Sequence, residues 1–142
     1  MAEKTINLHY TIDGNNFTTA GQASSNIKKV LKQLGVYPEA IRKAAISMYE
    51  GEINTIIHGK GGEANVAISP ETITIVFTDN GPGISDIDKA MQEGFSTATD
   101  EARELGFGAG MGLPNMKKYS DSMTIESQVG KGTTVTMIIK LN

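Results

Sequence analysis

Glu50 and Asn54 stand four positions apart in a stretch of helical character, so their side chains share one face a turn apart. His58 follows one turn further along the same stripe. A carboxylate beside an amide oxygen can take a proton from a hydroxyl and hold a hard cation, which prefers oxygen ligands. Polar residues at this spacing also decorate ordinary solvent-facing helices, so the pair alone leaves both readings open. The second feature is Asp79-Asn80-Gly81-Pro82-Gly83-Ile84, directly after a strand-like run. An aspartate at a strand end can accept a hydrogen bond from an exocyclic amine, and bare glycines let the chain pass close to a flat ligand. The same residues also have good turn chemistry.

The third feature is Gly106-Phe107-Gly108-Ala109-Gly110-Met111-Gly112-Leu113, alternating glycines that lead into a helical pattern. Backbone amides at a helix start attract anions, and alternating glycine lets the chain wrap phosphates closely. No Gly-Lys-Ser/Thr closes it, so it is not a Walker loop, and it follows a loop instead of a strand, unlike a dinucleotide fingerprint. The last feature, Gly130-Lys131-Gly132-Thr133-Thr134, needs no ligand to make sense as a hairpin turn.

The elements that must position these residues are legible from periodicity. Residues 4–10 alternate, with Ile6, Leu8 and Tyr10 on one face, and a turn at Asp13-Gly14-Asn15-Asn16 closes the strand. Helices are predicted from Ala20 to Leu34 and from Pro38 to about His58, each stopped by glycine. Gly51 sits inside the second helix at a cost of about 1 kcal/mol relative to alanine, which calls for tight packing or a loose turn there. After a turn at Lys60-Gly61-Gly62, strands are predicted near 64–69 and 72–78, with Ile73, Ile75 and Phe77 on the buried face. A short helix over 86–92 precedes an aperiodic stretch, 94–109, which reads as a long mobile loop of functional use. Met111 to Tyr119 is helical, with Pro114 in its first turn, and strands at 122–129 and 133–141 end the chain. Hairpin-paired strands interspersed with helices predict an antiparallel or mixed sheet backed by helices, in one domain over residues 1–142.

Composition excludes several classes. Hydrophobic residues are 39% and charged residues 20%, as in an ordinary globular protein. A net charge of −3 argues against a nucleic-acid binder, and Lys28-Lys29 and Lys117-Lys118 read as solvated helix faces. There is no cysteine, hence no disulfide or thiolate metal site. Apolar stretches are too short to span a membrane, so a cytoplasmic protein is expected. Sixteen glycines exceed the usual share of about 7% and cluster in the three motifs.

Taken in order, Glu-x-x-x-Asn, Asp-x-Gly-x-Gly, a long loop, Gly-x-Gly-x-Gly and Gly-x-Gly-Thr over about residues 40–140 resemble the GHKL ATPase superfamily. The resemblance implies a Bergerat fold of the α+β class: an α/β sandwich with a mixed, mostly antiparallel sheet, helices on one face and a mobile ATP lid at 94–110. It implies ATP and Mg²⁺ as cofactors. Glu50 matches the general base, Asn54 the magnesium ligand, and Asp79 the carboxylate that reads the adenine amine. Gly81 and Gly83 match the close-approach positions, Gly108, Gly110 and Gly112 (with Met111 between them) the phosphate loop, and Thr133 the hydroxyl beside Asp79. His58 matches a position often basic in the family, with its role open, and Arg103 lies in the lid segment. The chain length then points to the stand-alone bacterial anti-sigma-factor serine/threonine kinases (the SpoIIAB, RsbW and RsbT group). Their implied partners are a small STAS-type anti-anti-sigma protein and a sigma factor, and dimers are common among them. A nucleotide-gated binding protein with little catalysis, or a detached histidine-kinase-like catalytic domain, are the alternative readings.

Overall fold

Among the described residues, alternation of apolar and polar residues along five runs gives five strands, and 3.6-residue periodicity gives three helices between them. The computed structural model describes residues 5–14, 20–58, 60–84, 87, 91 and 112–141. In chain order these form β1 (Ile6–Asp13), α1 (Gln22–Gln33), α2 (Pro38–Ile57), β2 (Gly61–Ile68), β3 (Thr72–Asp79), α3 (Gly112–Tyr119), β4 (Ser122–Gln128) and β5 (Gly132–Lys140). The sheet order is β1-β2-β3-β5-β4, and every one of the described pairings is antiparallel. The expected α+β sandwich with helices on one face is what the chain forms, as the buried row of each strand faces α1, α2 and α3.

The register lines up the apolar side chains in rungs across the sheet. Leu8, Val66, Ile75, Met137 and Met123 form one; Tyr10, Ala64, Phe77, Val135 and Ile125 form the next. Against these rungs pack Ile27 and Leu31 of α1, Ala44 and Met48 of α2, and Met116 of α3, all fully buried. The opposite face carries His9, Thr74, Thr136 and Thr124, so among the described residues the sheet is covered on one side only.

Three boundaries differ from the periodicity. β1 runs on to Asp13, and the expected turn at Gly61-Gly62 is instead the first part of β2, because Gly61 pairs with Asp13 of β1 and Gly62 with both Ile12 of β1 and Asp79 of β3. α1 starts at Gln22 because Gly21 takes a left-handed φ of 94° and breaks the helix there. Of the predicted 86–92 helix, only Ile87 and Met91 are described, joined by a Met91 N–H bond to the Ile87 carbonyl at 3.0 Å. The 94–109 loop with Arg103, and the glycines at 106, 108 and 110 with Met111, lie outside the described residues.

Candidate functional site

One step beyond the last apolar rung, the same register puts Gly62, Asp79, Thr133 and Ser127 side by side on four adjacent strands. The core row of β3 (Ile73, Ile75, Phe77) thus ends in Asp79, and that of β5 (Ile139, Met137, Val135) in Thr133. A polar shelf grows out of the hydrophobic core, and its side chains inherit the rigidity of the ladder. Asp79 Oδ1 accepts the Gly81 N–H at 2.9 Å. Among the described residues no donor engages Oδ2.

Ser127 binds the shelf to the glycine segment after β3. Its Oγ accepts the Ile84 N–H at 2.7 Å and lies 2.8 Å from Thr133 Oγ1 and 3.2 Å from the Gly132 carbonyl. The Gly130 N–H donates to the Pro82 carbonyl at 2.8 Å, a second stitch between the same segments. Gly83 has a φ of 80°, and a Cβ there would lie 2.5 Å from the Gln128 carbonyl oxygen. The close approach of the β4–β5 hairpin and the left-handed φ therefore suffice to demand glycine there.

On α2, Glu50 and Asn54 are both half-buried and share the face that periodicity assigns them. Asn115 of α3 reaches Glu50 Oε1 at 3.5 Å, so α3 steadies the carboxylate from across the α2–α3 contact. Burial pushes the Glu50 carboxyl above its ordinary range, with the Asn115 amide opposing. His58 caps the C-terminus of α2, its N–H bonded to the Asn54 carbonyl at 2.9 Å. Burial lowers its imidazole pKa, while the charge of Asp79 pulls it back up. His58 and Asp79 are thus brought within electrostatic reach, and the stripe Glu50–Asn54–His58 converges on the polar shelf. Of the glycine loop only Gly112 is described, as the first residue of α3.

Two residues that matter here were not singled out by spacing. Ser127 looked like an ordinary alternating strand position. Glu52 is 3% exposed and accepts backbone N–H groups of Gly21, Ala23 and Ser24 at 3.0, 3.3 and 3.2 Å. It caps α1, whose own N-terminal position is a glycine without a capping side chain. Burial raises the Glu52 pKa and the three N–H bonds oppose this. The signal was available: a helix turns about 200° in two residues, so Glu52 faces away from Glu50, toward the core.

Comparison with known proteins bears on this arrangement. Residues 48–142 match the protein family described as histidine kinase-, DNA gyrase B-, and HSP90-like ATPase. The anti-sigma F factor of Thermoanaerobacter pseudethanolicus is 37% identical over 131 residues, covering 86% of this chain and 88% of that one. The anti-sigma F factor of Clostridium botulinum (strain Eklund 17B) is 31% identical over 148 residues, covering 100% and 98%. Among solved structures, the RsbU and RsbW domains of a Mycobacterium tuberculosis protein superpose with a TM-score of 0.66 at 18% identity. That likeness takes in 96% of this chain and 32% of the other. The mycobacterial sensor histidine kinase MprB gives 0.53 at 14% identity, over 98% and 97%. At such identities the two structures speak for the fold alone.

Proposed function

The chain belongs to the histidine kinase-, DNA gyrase B-, and HSP90-like ATPase family, and on that premise we propose that it is an ATP-binding anti-sigma regulator that phosphorylates a small STAS-type protein on serine or threonine. The observation that carries this reading is Glu50: a half-buried carboxylate of raised pKa, held by Asn115, on the stripe that runs down to Asp79. A base of raised pKa is better matched to deprotonating a hydroxyl near neutral pH than a fully solvated one.

The roles follow from position. Asp79 Oδ2 accepts the adenine amine, while Thr133 and Ser127 fix the shelf around the base. Glu50 takes the proton as the partner's hydroxyl oxygen bonds to the γ-phosphorus and the bond from that phosphorus to ADP breaks. Asn54 suits Mg²⁺, since no protein group hydrogen-bonds its amide among the described residues and magnesium needs few protein oxygens beside phosphate and water. When bound, the ion would neutralise phosphate charge. Gly108, Gly110 and Gly112 wrap the phosphates in this reading. His58 borders the site, and burial favours its neutral form while the charge of Asp79 opposes this.

Among the described residues no helix is long and apolar enough to cross a membrane. We place the activity in the cytoplasm, in one domain over residues 1–142, as a homodimer. The names of the relatives favour a second output: capture of a sigma factor, gated by the nucleotide.

Incubation with labelled ATP, Mg²⁺ and a STAS-type protein tests the reading. Acid-stable label should appear on serine or threonine, and Glu50→Gln should abolish transfer while ATP still binds. Transfer that survives Glu50→Gln removes the base assignment. An acid-labile product points to a histidine acceptor instead.

A further inference from the structure

Between α1 and the first half of α2 lies a groove of about 550 Å³, remote from the polar shelf. Its rim carries Lys28, Lys32 and Arg42, and its floor includes Val36, Ile41 and Ala45. Among the described residues no acidic side chain lines it, although the chain as a whole carries a net charge of −3. Lys28 and Lys32 are both exposed, and among the described residues neither has an ion pair. Arg42 contacts Glu39 at 3.2 Å in an exposed pair, and its guanidinium lies 5.4 Å from the centroid of the Tyr119 ring. At that distance the ring face attracts the cation electrostatically. The connection from α1 to α2 adds Leu34 and Tyr37, two of the five large apolar side chains exposed among the described residues.

We propose that this groove docks an acidic, amphipathic helical segment of a protein partner. The argument is complementarity on two counts. Lys28 and Lys32, which have no ion pair among the described residues, select negative charge, while Arg42 already has Glu39 beside it. A floor of aliphatic side chains gives nothing to a phosphodiester backbone but matches the apolar face of a helix. Both requirements are met by a segment with leucine-like residues on one side and carboxylates on the other. The groove and the site share α2, with Ile41 and Asn54 about 20 Å apart along the helix axis, so partner and nucleotide can be held at once. The inference rests on the protein-partner half of the proposed function and not on phosphoryl transfer.

The test uses the full chain and a short fluorescein-labelled peptide with leucine along one helical face and glutamate along the other. A scrambled peptide of the same composition, a single-stranded oligonucleotide and anionic vesicles serve as competing probes. The amphipathic peptide should bind, weaken with added salt, and lose about tenfold or more in affinity for the Lys28→Glu/Lys32→Glu variant. Both lysines are exposed, so that variant should fold and bind ATP as the parent does. Absent binding, equal binding by the variant or the scrambled peptide, or a preference for oligonucleotide or vesicles overturns the proposal. ATP affinity measured in parallel keeps the two questions apart: a parent chain that takes the peptide but not ATP would sink the nucleotide reading alone.

Discussion

The Phe77 ring fills the space where residue 51 would carry a side chain. A Cβ on Gly51 would lie 2.2 Å from Cε2 and 2.7 Å from Cζ of that ring, so α2 sits on β3 at a distance only glycine permits. Alanine is the better helix former by about 1 kcal/mol, yet overpacking costs typically about 1–3 kcal/mol. Gly51→Ala should therefore destabilise in urea titrations, and Phe77→Leu in the same chain should recover part of the loss. A more stable Gly51→Ala would mean that the contact is not what keeps the glycine.

Glu52 fastens α1 to α2 through three backbone donors. Glu52→Ala leaves those donors without their acceptor, at a cost of about 1–3 kcal/mol. Hydrogen exchange should read this locally, with the Ala23 and Ser24 amides losing protection well before those of β3 and β5. Uniform loss across the chain would assign Glu52 a global role instead.

The raised pKa of Glu50 has a signed consequence for stability. Its folded carboxyl holds a proton more tightly than the unfolded one, whose ordinary value is 4.5. Its contribution is thus fully present below pH 4.5 and is lost as pH rises through the higher folded value. Glu50→Gln removes that loss, so the variant should gain on the parent from acid to neutral pH and then level off. Thermal melts across that range would show a gain; a variant that falls behind as pH rises contradicts the assigned direction.

Asp79 and Ser127 should separate binding from folding. Asp79→Asn still offers an oxygen to the Gly81 N–H but loses the charge facing the ligand, which costs about 1.5–3 kcal/mol for a charged acceptor. ATP affinity should drop at least about tenfold, with the melting temperature nearly unchanged. Ser127→Ala instead frees the Ile84 N–H and the Thr133 hydroxyl, so stability and affinity should fall together. Calorimetric titration and melts on the two variants read both effects.

What could be read from the residues tracks how local its cause is. Alternation in Thr72–Asp79 and the 3.6-residue stripe of α2 gave those elements nearly to the residue. The stripe also placed Glu50, Asn54 and His58 on one face, and strand position placed Asp79 at an edge of the core. Glu52 and Ser127 escaped because their partners lie 28 and 43 positions away, in Ser24 and Ile84, which no local period encodes. The β2 start was missed for the same reason: two glycines look like a turn until Asp13 and Asp79 are there to pair with them. Gly51 was anomalous as a helix residue, and only the Phe77 ring supplies its reason.

The pairing of Asp79 with Thr133 closes a loop of roughly fifty residues in the sheet. Closing a longer loop costs only about 0.6 kcal/mol for each doubling of its length. Descendants of this chain can therefore change the length of the stretch between Ile84 and α3 at little cost in closure entropy, while the shelf that closes the loop stays fixed. Divergence in what such proteins respond to is cheapest there, and comparisons of paralogues should find their length differences concentrated in that interval.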